Sequence, residues 1–249
     1  MDFKDILKKD IDKNYISLGN NEVEELLIDI NKYPSIIITG ETGSGKSILL
    51  DQIILQLINK YTSLELGIIP IDTSGVELNY YAESPYTLYN AINNEDKSIV
   101  ALTRVLKEVE RRKDLLKENG VTTAEQYNQI VTSKLPLLLV AIDDDKLLLR
   151  NRDMEKLLSG IISQLTGLNI LFVLATSDVH NKFFERDNNT LASLLISFDY
   201  TNSLEAQKAN IEGSQNLAIG EFLARKDNEV SKYRNYEFDD AIIAEVLAK

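Results

Sequence analysis

Cysteine is absent from the 249 residues, which removes disulfides, thiol nucleophiles and zinc–thiolate sites together. A single histidine, His180, is present, so no multi-histidine metal centre can be assembled, although carboxylate sites stay open. No run of 18 apolar residues occurs, and no membrane-spanning helix is expected. The mixed-charge start MDFKDILKKDIDK does not read as a secretory signal, so the expected compartment is the cytoplasm. Basic charge is also scarce: 27 Lys and Arg stand against 39 Asp and Glu, a formal net charge of -12. That balance argues against strong nucleic-acid binding by an isolated monomer, while leaving room for a basic channel formed on assembly. Internal repeats and low-complexity tracts are missing as well. What remains, 44% hydrophobic and 27% charged residues, fits one large α/β domain with small additions.

The most informative segment is GETGSGKS: Gly40, Glu41, Thr42, Gly43, Ser44, Gly45, Lys46 and Ser47. It matches the phosphate-loop pattern G-x-x-x-x-G-K-[ST]. The apolar run Ile36 to Ile38 precedes it and the apolar-periodic segment Ile48 to Leu57 follows, which is the strand–loop–helix context that the motif requires. The glycines let backbone N–H groups turn around an anion, and the helix N-terminus adds its positive dipole end. Lys46 is placed to reach β- and γ-phosphates, and the Ser47 hydroxyl to ligate Mg²⁺. ATP and Mg²⁺ are the expected cofactors.

Further along, apolar periodicity predicts helices over 47–61, 96–118, 123–131, 153–165 and 239–247, and strands over 66–71, 137–142 and 169–175. Residues 217–236 read as an edge hairpin. Residues 1–33 read as an N-terminal accessory segment and 34–249 as the main ATPase domain. The alternation of strand and helix predicts an α/β, RecA-like P-loop fold with a mostly parallel central sheet flanked by helices. In such a fold ligands bind beyond the C-terminal strand ends. The phosphate loop, Asp72, Asp143 and Thr176 all fall at such ends.

Each has a chemical reading. Asp143 ends the apolar run LLLVAI, 97 residues after Lys46, and a carboxylate there can support Mg²⁺ opposite Ser47. Asp144 is the candidate general base for the attacking water, and Asp145 is expected to face solvent. Thr176 and Ser177 are candidate polar contacts to the γ-phosphate, and Asp72 is a candidate for the same crevice. His180 reads as a surface residue. Arg111, Arg112 and Lys113 form the best basic cluster, but acidic neighbours make it read as a solvated helix face. The tyrosines at 80, 81, 86 and 89 read as an interface or loop packing rather than a base-stacking platform, because Arg and Lys do not flank them.

The ordered set of segments resembles the FtsK/SpoIIIE/TcpA family of hexameric translocases. SIIITGETGSGKS resembles the family's Walker A and its approach strand, and IIPIDTSGVEL the segment holding its I-D-P-K. ALTRVLKEVERRKDLLKENG resembles the long helix with an E-R-R signature, LPLLLVAIDDD the Walker B, LNILFVLATSD the strand ending L-A-T-Q-R-P, and IEGSQNLAIGEFL the glycine-containing C-terminal stretch. The resemblance implies a ring, expected to be a homo-hexamer, that moves double-stranded DNA in chromosome segregation or conjugation. Membrane association would come through partner proteins. A sister group carries ATPase domains of type VII secretion, some with altered active sites, for which the partner is a secreted protein. This chain departs from the pattern at Asp144 (Glu in the family), Ser177 (Gln), Asp178 (Arg) and Ser74 (Lys). An Arg common in the family falls near Leu195. An arginine finger is not assigned, and Arg150, Arg152 and Arg186 are candidates by position. The leading expectation is an ATP-hydrolysing DNA translocase or conjugative coupling motor. The alternative is a nucleotide-binding, protein-recognising domain with weak or no hydrolysis.

Overall fold

The strands run, in chain order, β1 (Tyr15–Asn20), β2 (Glu25–Asp29), β3 (Ser35–Thr39), β4 (Leu66–Asp72), β5 (Ala91–Ile92), β6 (Leu137–Asp144), β7 (Ile170–Thr176), β8 (Leu194–Ser197), β9 (Glu221–Lys226) and β10 (Glu229–Arg234). The helices are α1 (Phe3–Leu7), α2 (Lys46–Lys60), α3 (Glu95–Glu118), α4 (Ala124–Ile130), α5 (Arg152–Ile162), α6 (Ser203–Lys208) and α7 (Ala241–Leu247). The computed structural model describes residues 1–92, 94–144, 152–179, 193–209, 211 and 213–248. Asp145, Arg150, His180 and Arg186, named above, lie outside the described residues.

β3, β4, β6 and β7 are buried along their whole length. They are rich in Ile, Val and Leu, as strands covered on both faces must be. At the start of helix α4, Thr123 and Gln126 form a reciprocal capping box. Asn94 caps α3 by accepting from the Lys97 N–H at 2.8 Å.

Among the described residues the ten strands join one sheet in the order β2-β1-β10-β9-β8-β3-β7-β6-β4-β5. From β8 to β5 the pairings are parallel. From β2 to β8 they are antiparallel. The expected mostly parallel, RecA-like sheet is thus corrected to a mixed one. The physical cause is local. β9 and β10 are joined by Asp227 and Asn228 alone, both with positive φ (51° and 69°), and a two-residue turn of this kind can only reverse the chain. The hairpin is interior rather than an edge, because β9 pairs with β8 and β10 with β1. Residues 1–33 supply α1, β1 and β2, which extend the same sheet.

The sheet also curls. Helix α2 touches β1 as well as β6 and β7. In the strand order β1 and β6 are six positions apart, roughly 29 Å in a flat sheet at about 4.8 Å per strand. A helix about 10 Å wide meets both only when the sheet wraps around it as a half-barrel. Leu49, Leu50, Ile53 and Leu57 of α2 fill the concave side, while α3 and α5 cover the other face through Leu102, Val105, Leu158 and Ile161. Among the described residues no helix is long and apolar enough to cross a membrane.

Candidate nucleotide site

The phosphate loop leaves β3 at Thr39 and enters α2 at Lys46. Gly45 is the N-cap of α2 at φ 119°. A Cβ there would stand 3.1 Å from the Phe198 ring and 3.2 Å from the Asn235 side-chain nitrogen, so backbone conformation and space both call for glycine. At Gly40, φ 146°, a Cβ would lie 2.6 Å from the Phe198 Cβ and 2.8 Å from Ser44 Oγ. The loop is therefore a tight cradle seated on Phe198.

Across its mouth the Ser47 hydroxyl donates to Asp143 Oδ2 at 2.9 Å. Lys46 Nζ donates to the Glu41 carbonyl at 2.9 Å. Strand alternation places Asp143 on the α2 face of the sheet, in line with Leu139 and Ala141. Asp144 lies on the opposite face, in line with Val140 and Ile142. Both reach the cleft because they end their strand. The cleft has a volume of 1110 Å³ and runs from Thr42, Lys46 and Ser47 past Asp143, Asp144 and Ser177 to the β9–β10 side at Gly220 and Asn235.

The two strand-end hydroxyls divide. Ser177 lines the cleft, and its buried Oγ has no hydrogen-bond partner among the described residues. Thr176 is fully buried and accepts from the Asp178 N–H at 3.1 Å, which closes a local turn. Asp72 is not available to the crevice. Its Oδ1 accepts from Ser74 N–H, Ser74 Oγ–H and Gly75 N–H, and its Oδ2 from Leu78 N–H, at 2.7 to 3.0 Å. That cap shapes the loop that carries Glu77 to the cleft. Arg152 begins α5 and is exposed.

Burial pushes the Asp143 carboxyl up to about 6. The Ser47 hydroxyl and Lys46 pull it down, and Glu77 and Asp72 push it up. Behind it, burial pushes Asp51 of α2 up to about 8. The Tyr81 hydroxyl, which donates to Asp51 Oδ1 at 2.8 Å, works against that rise, and Glu77, Asp143 and Asp240 add to it. An unfolded Asp sits near 3.8. Between about pH 4 and pH 8 the folded chain thus holds a proton here that the unfolded chain has lost, so this group makes stability fall as pH rises through that window. Asp51→Asn is expected to flatten the pH dependence of the melting temperature and to raise it at pH 8.5. Melts of nucleotide-free protein from pH 5 to 9 would contradict this if the variant kept the wild-type slope.

With that geometry in place, comparison with known proteins is decisive at the family level. The FtsK/SpoIIIE family model matches residues 6–173. The chain belongs to the FtsK/SpoIIIE family. The DNA translocase FtsK of Halalkalibacterium halodurans is 30% identical over 180 residues, 66% of this chain and 23% of that protein. The chain thus spans less than a quarter of that relative. The pCW3 conjugation coupling protein TcpA, in its monomer form with ATPγS, has a TM-score of 0.81 at 20% identity, covering 100% of this chain and 73% of that one. EssC (ATPases 2 and 3) from Geobacillus thermodenitrificans gives 0.77 at 22% identity, covering 94% and 47%. At these identities the structures establish shared fold.

Membership in the FtsK/SpoIIIE family implies a P-loop ATPase domain that takes ATP with Mg²⁺, and the residues fit. The loop's packing leaves no room for a Cβ at Gly40 or Gly45, Ser44 Oγ is buried with no partner among the described residues, and Ser47 and Asp143 present two oxygens at one point. No group of three or more His, Asp or Glu among the described residues could hold a metal alone, so phosphate oxygens would complete a Mg²⁺ shell. Sequence reasoning missed four features of this FtsK/SpoIIIE-family site. Glu41 accepts from the Thr201 N–H at 2.8 Å. Asp51 and Glu77 bring carboxylates near Asp143. Asn235 and Gly220 hold the phosphate loop from the side. The i,i+4 spacing of Ser47 and Asp51 was a legible signal for one of these; the others depend on long-range pairing.

Proposed function

We propose that this chain is the motor domain of an ATP-driven translocase that works as a homo-hexameric ring on double-stranded DNA, in conjugation or mobile-element transfer.

 The observation that carries this reading is the Ser47–Asp143 pair, 2.9 Å apart at the mouth of a 1110 Å³ cleft that Lys46 also lines. Lys46 and the amides of residues 43–47 bind the β- and γ-phosphates. When bound, Mg²⁺ neutralises charge on the phosphoryl group being transferred, and Ser47 and Asp143 are the residues that would hold it. Asp144 accepts the proton of the attacking water. Ser177 contacts the γ-phosphate side of the cleft, and Thr176 braces the strand end beside Asp144, with which it is paired across β6 and β7. Residues 1–33 act as an accessory segment to the motor domain of 34–249. The site works in the cytoplasm, with any membrane contact made through partner proteins.

The test is steady-state ATP hydrolysis with Mg²⁺, with and without duplex DNA, at concentrations that permit assembly. DNA-stimulated turnover, lowered about 100-fold or more by Asp144→Asn, is expected. A second reading, a nucleotide-gated domain that recognises a secreted protein, is favoured by one feature: Asp144 is 1% exposed and one methylene shorter than Glu. Tight ATP binding with no turnover in any condition would move the case to that reading.

A further inference from the structure

The phosphate loop is held from outside by the antiparallel half of the sheet. The Gly220 N–H donates to the Ser44 carbonyl at 3.1 Å. The Asn235 side-chain Nδ2 donates to the Gly45 carbonyl at 3.0 Å. The two holders are tied to each other, because the Asn235 N–H donates to the Gly220 carbonyl at 2.8 Å. Gly220 immediately precedes β9 and Asn235 immediately follows β10, so both lie at the open end of one hairpin.

In a trans peptide the carbonyl of one residue and the N–H of the next point in opposite directions within one plane, and no peptide among the described residues is cis. Holding the Ser44 carbonyl toward the hairpin therefore turns the Gly45 N–H away from it, into the concave side of the loop. The Gly45 carbonyl, which also accepts from the Leu49 N–H of α2 at 3.2 Å, is held in the same way, and the Lys46 N–H turns away with it. These are amides that a P-loop aims at phosphate oxygens. The Asn235 amide is fixed by this contact rather than by its other end, since its buried Oδ1 has no partner among the described residues. The next residue continues the attachment: the Tyr236 carbonyl accepts from Gln52 Nε2 of α2 at 3.0 Å.

We infer that Asn235, with Gly220, is a positioning residue that pre-aims the phosphate-loop amides, so that affinity for the phosphate chain depends on a hairpin far away in sequence. The inference rests on the nucleotide reading above and deepens it.

The experiment measures dissociation constants of wild-type protein and of Asn235→Ala, Asn235→Asp and Asn235→Gln for ATP, ADP and inorganic pyrophosphate, with Mg²⁺, alongside melting temperatures. Lys46→Ala is the reference. Loss of one aimed hydrogen bond is expected to weaken all three ligands in parallel by about tenfold in the Ala and Asp variants. Pyrophosphate has no base or ribose, so its parallel loss reports the loop and not a nucleoside contact. Asn235→Gln keeps the amide donor and is expected to recover at least part of the affinity for each ligand. Weakened ATP with unchanged pyrophosphate would overturn the inference in favour of a nucleoside contact. Unchanged affinities in folded Asn235→Asp would also overturn it, including the case in which Asn235→Ala does not fold. If wild-type protein bound none of the ligands, or bound them as well as Lys46→Ala does, the nucleotide reading itself would fail, an outcome distinct from a failure confined to Asn235.

Discussion

Lys46→Ala is expected to weaken ATP binding by at least about 100-fold and to leave no measurable hydrolysis. The lysine is 8% exposed, so its ammonium is already largely stripped of water and has less hydration to lose when an anion arrives. A hydrogen bond to a charged group is worth about 1.5–3 kcal/mol, and Lys46 is placed to make more than one to a phosphate chain; 100-fold corresponds to about 2.7 kcal/mol. Alanine also removes the donor that reaches the Glu41 carbonyl at 2.9 Å, so the loop loses an internal tie. The fold should survive, because α2 is held independently by Leu49, Leu50 and Ile53 in the core and by Gln56, whose side chain bonds both Ser17 N–H and Ser17 carbonyl. Titration calorimetry with ATP, next to a thermal melt, separates the two effects. Undiminished ATP affinity in a folded Lys46→Ala protein would remove the nucleotide site from residues 40–47.

What could be read in the sequence was what is local. The strand–loop–helix unit around GETGSGKS needed a few consecutive residues, and Asp143 needed the apolar run before it. The helix boundaries at 118 and 123 were legible for the same reason. The sheet was not, because its antiparallel half is assembled from distant pieces: Asn20 pairs with Arg234. β10 has one buried position out of six, so it carries almost no hydrophobic alternation to announce a strand. A hairpin over 217–236 was read, but its interior place in the sheet was not; the Asp227-Asn228 pair, two residue types that tolerate positive φ, marks its turn.

At the site, sequence reasoning placed Asp143, Asp144 and Ser177 on the cleft but overreached at Asp72, whose four hydrogen bonds are spent on its own loop. A strand-end carboxylate looks the same in sequence whether it faces a ligand or caps the next turn. The basic run Arg111 to Lys113 carried a similar ambiguity. Adjacent helix positions are about 100° apart, so neighbours in one charge run meet different surroundings. Arg111 is paired with Glu108 near the surface. Arg112 instead continues the buried stripe Val105, Val109, Leu116, at spacings of four, three and four residues, which was the available clue to its burial.

That position gives the largest expected effect on stability. Arg112→Ala should destabilise the fold by about 3–5 kcal/mol, because a donor to two interior carbonyls is lost at about 1–3 kcal/mol for each group left unsatisfied and truncating a buried side chain leaves a cavity. The guanidinium is 2% exposed. Its Nε donates to Glu108 Oε1 at 2.7 Å, and one terminal nitrogen donates to the carbonyls of Leu168 and Asn169, each at 2.8 Å. Alanine leaves both carbonyls without this donor and opens a cavity between α3 and the start of β7. Arg112→Lys should recover less than half of the loss, because an ammonium on a flexible stem does not reproduce a planar fork with donors in fixed directions. For a chain of this length about 1 kcal/mol moves the melting temperature by roughly 2–4 °C, so the alanine variant should melt at least about 6 °C lower. The site lies at the other end of β7: Ile170 follows the anchored carbonyls directly, while Thr176 is six residues on, roughly 20 Å along a strand. ATP affinity measured well below the melting transition should therefore stay within about threefold of wild type, at the scale of a few tenths of a kcal/mol seen for independent distant sites. A variant that melted normally but lost nucleotide would show instead that α3 transmits to the cleft, and Arg112 would then belong to the motor's moving parts rather than to the foundation of the sheet.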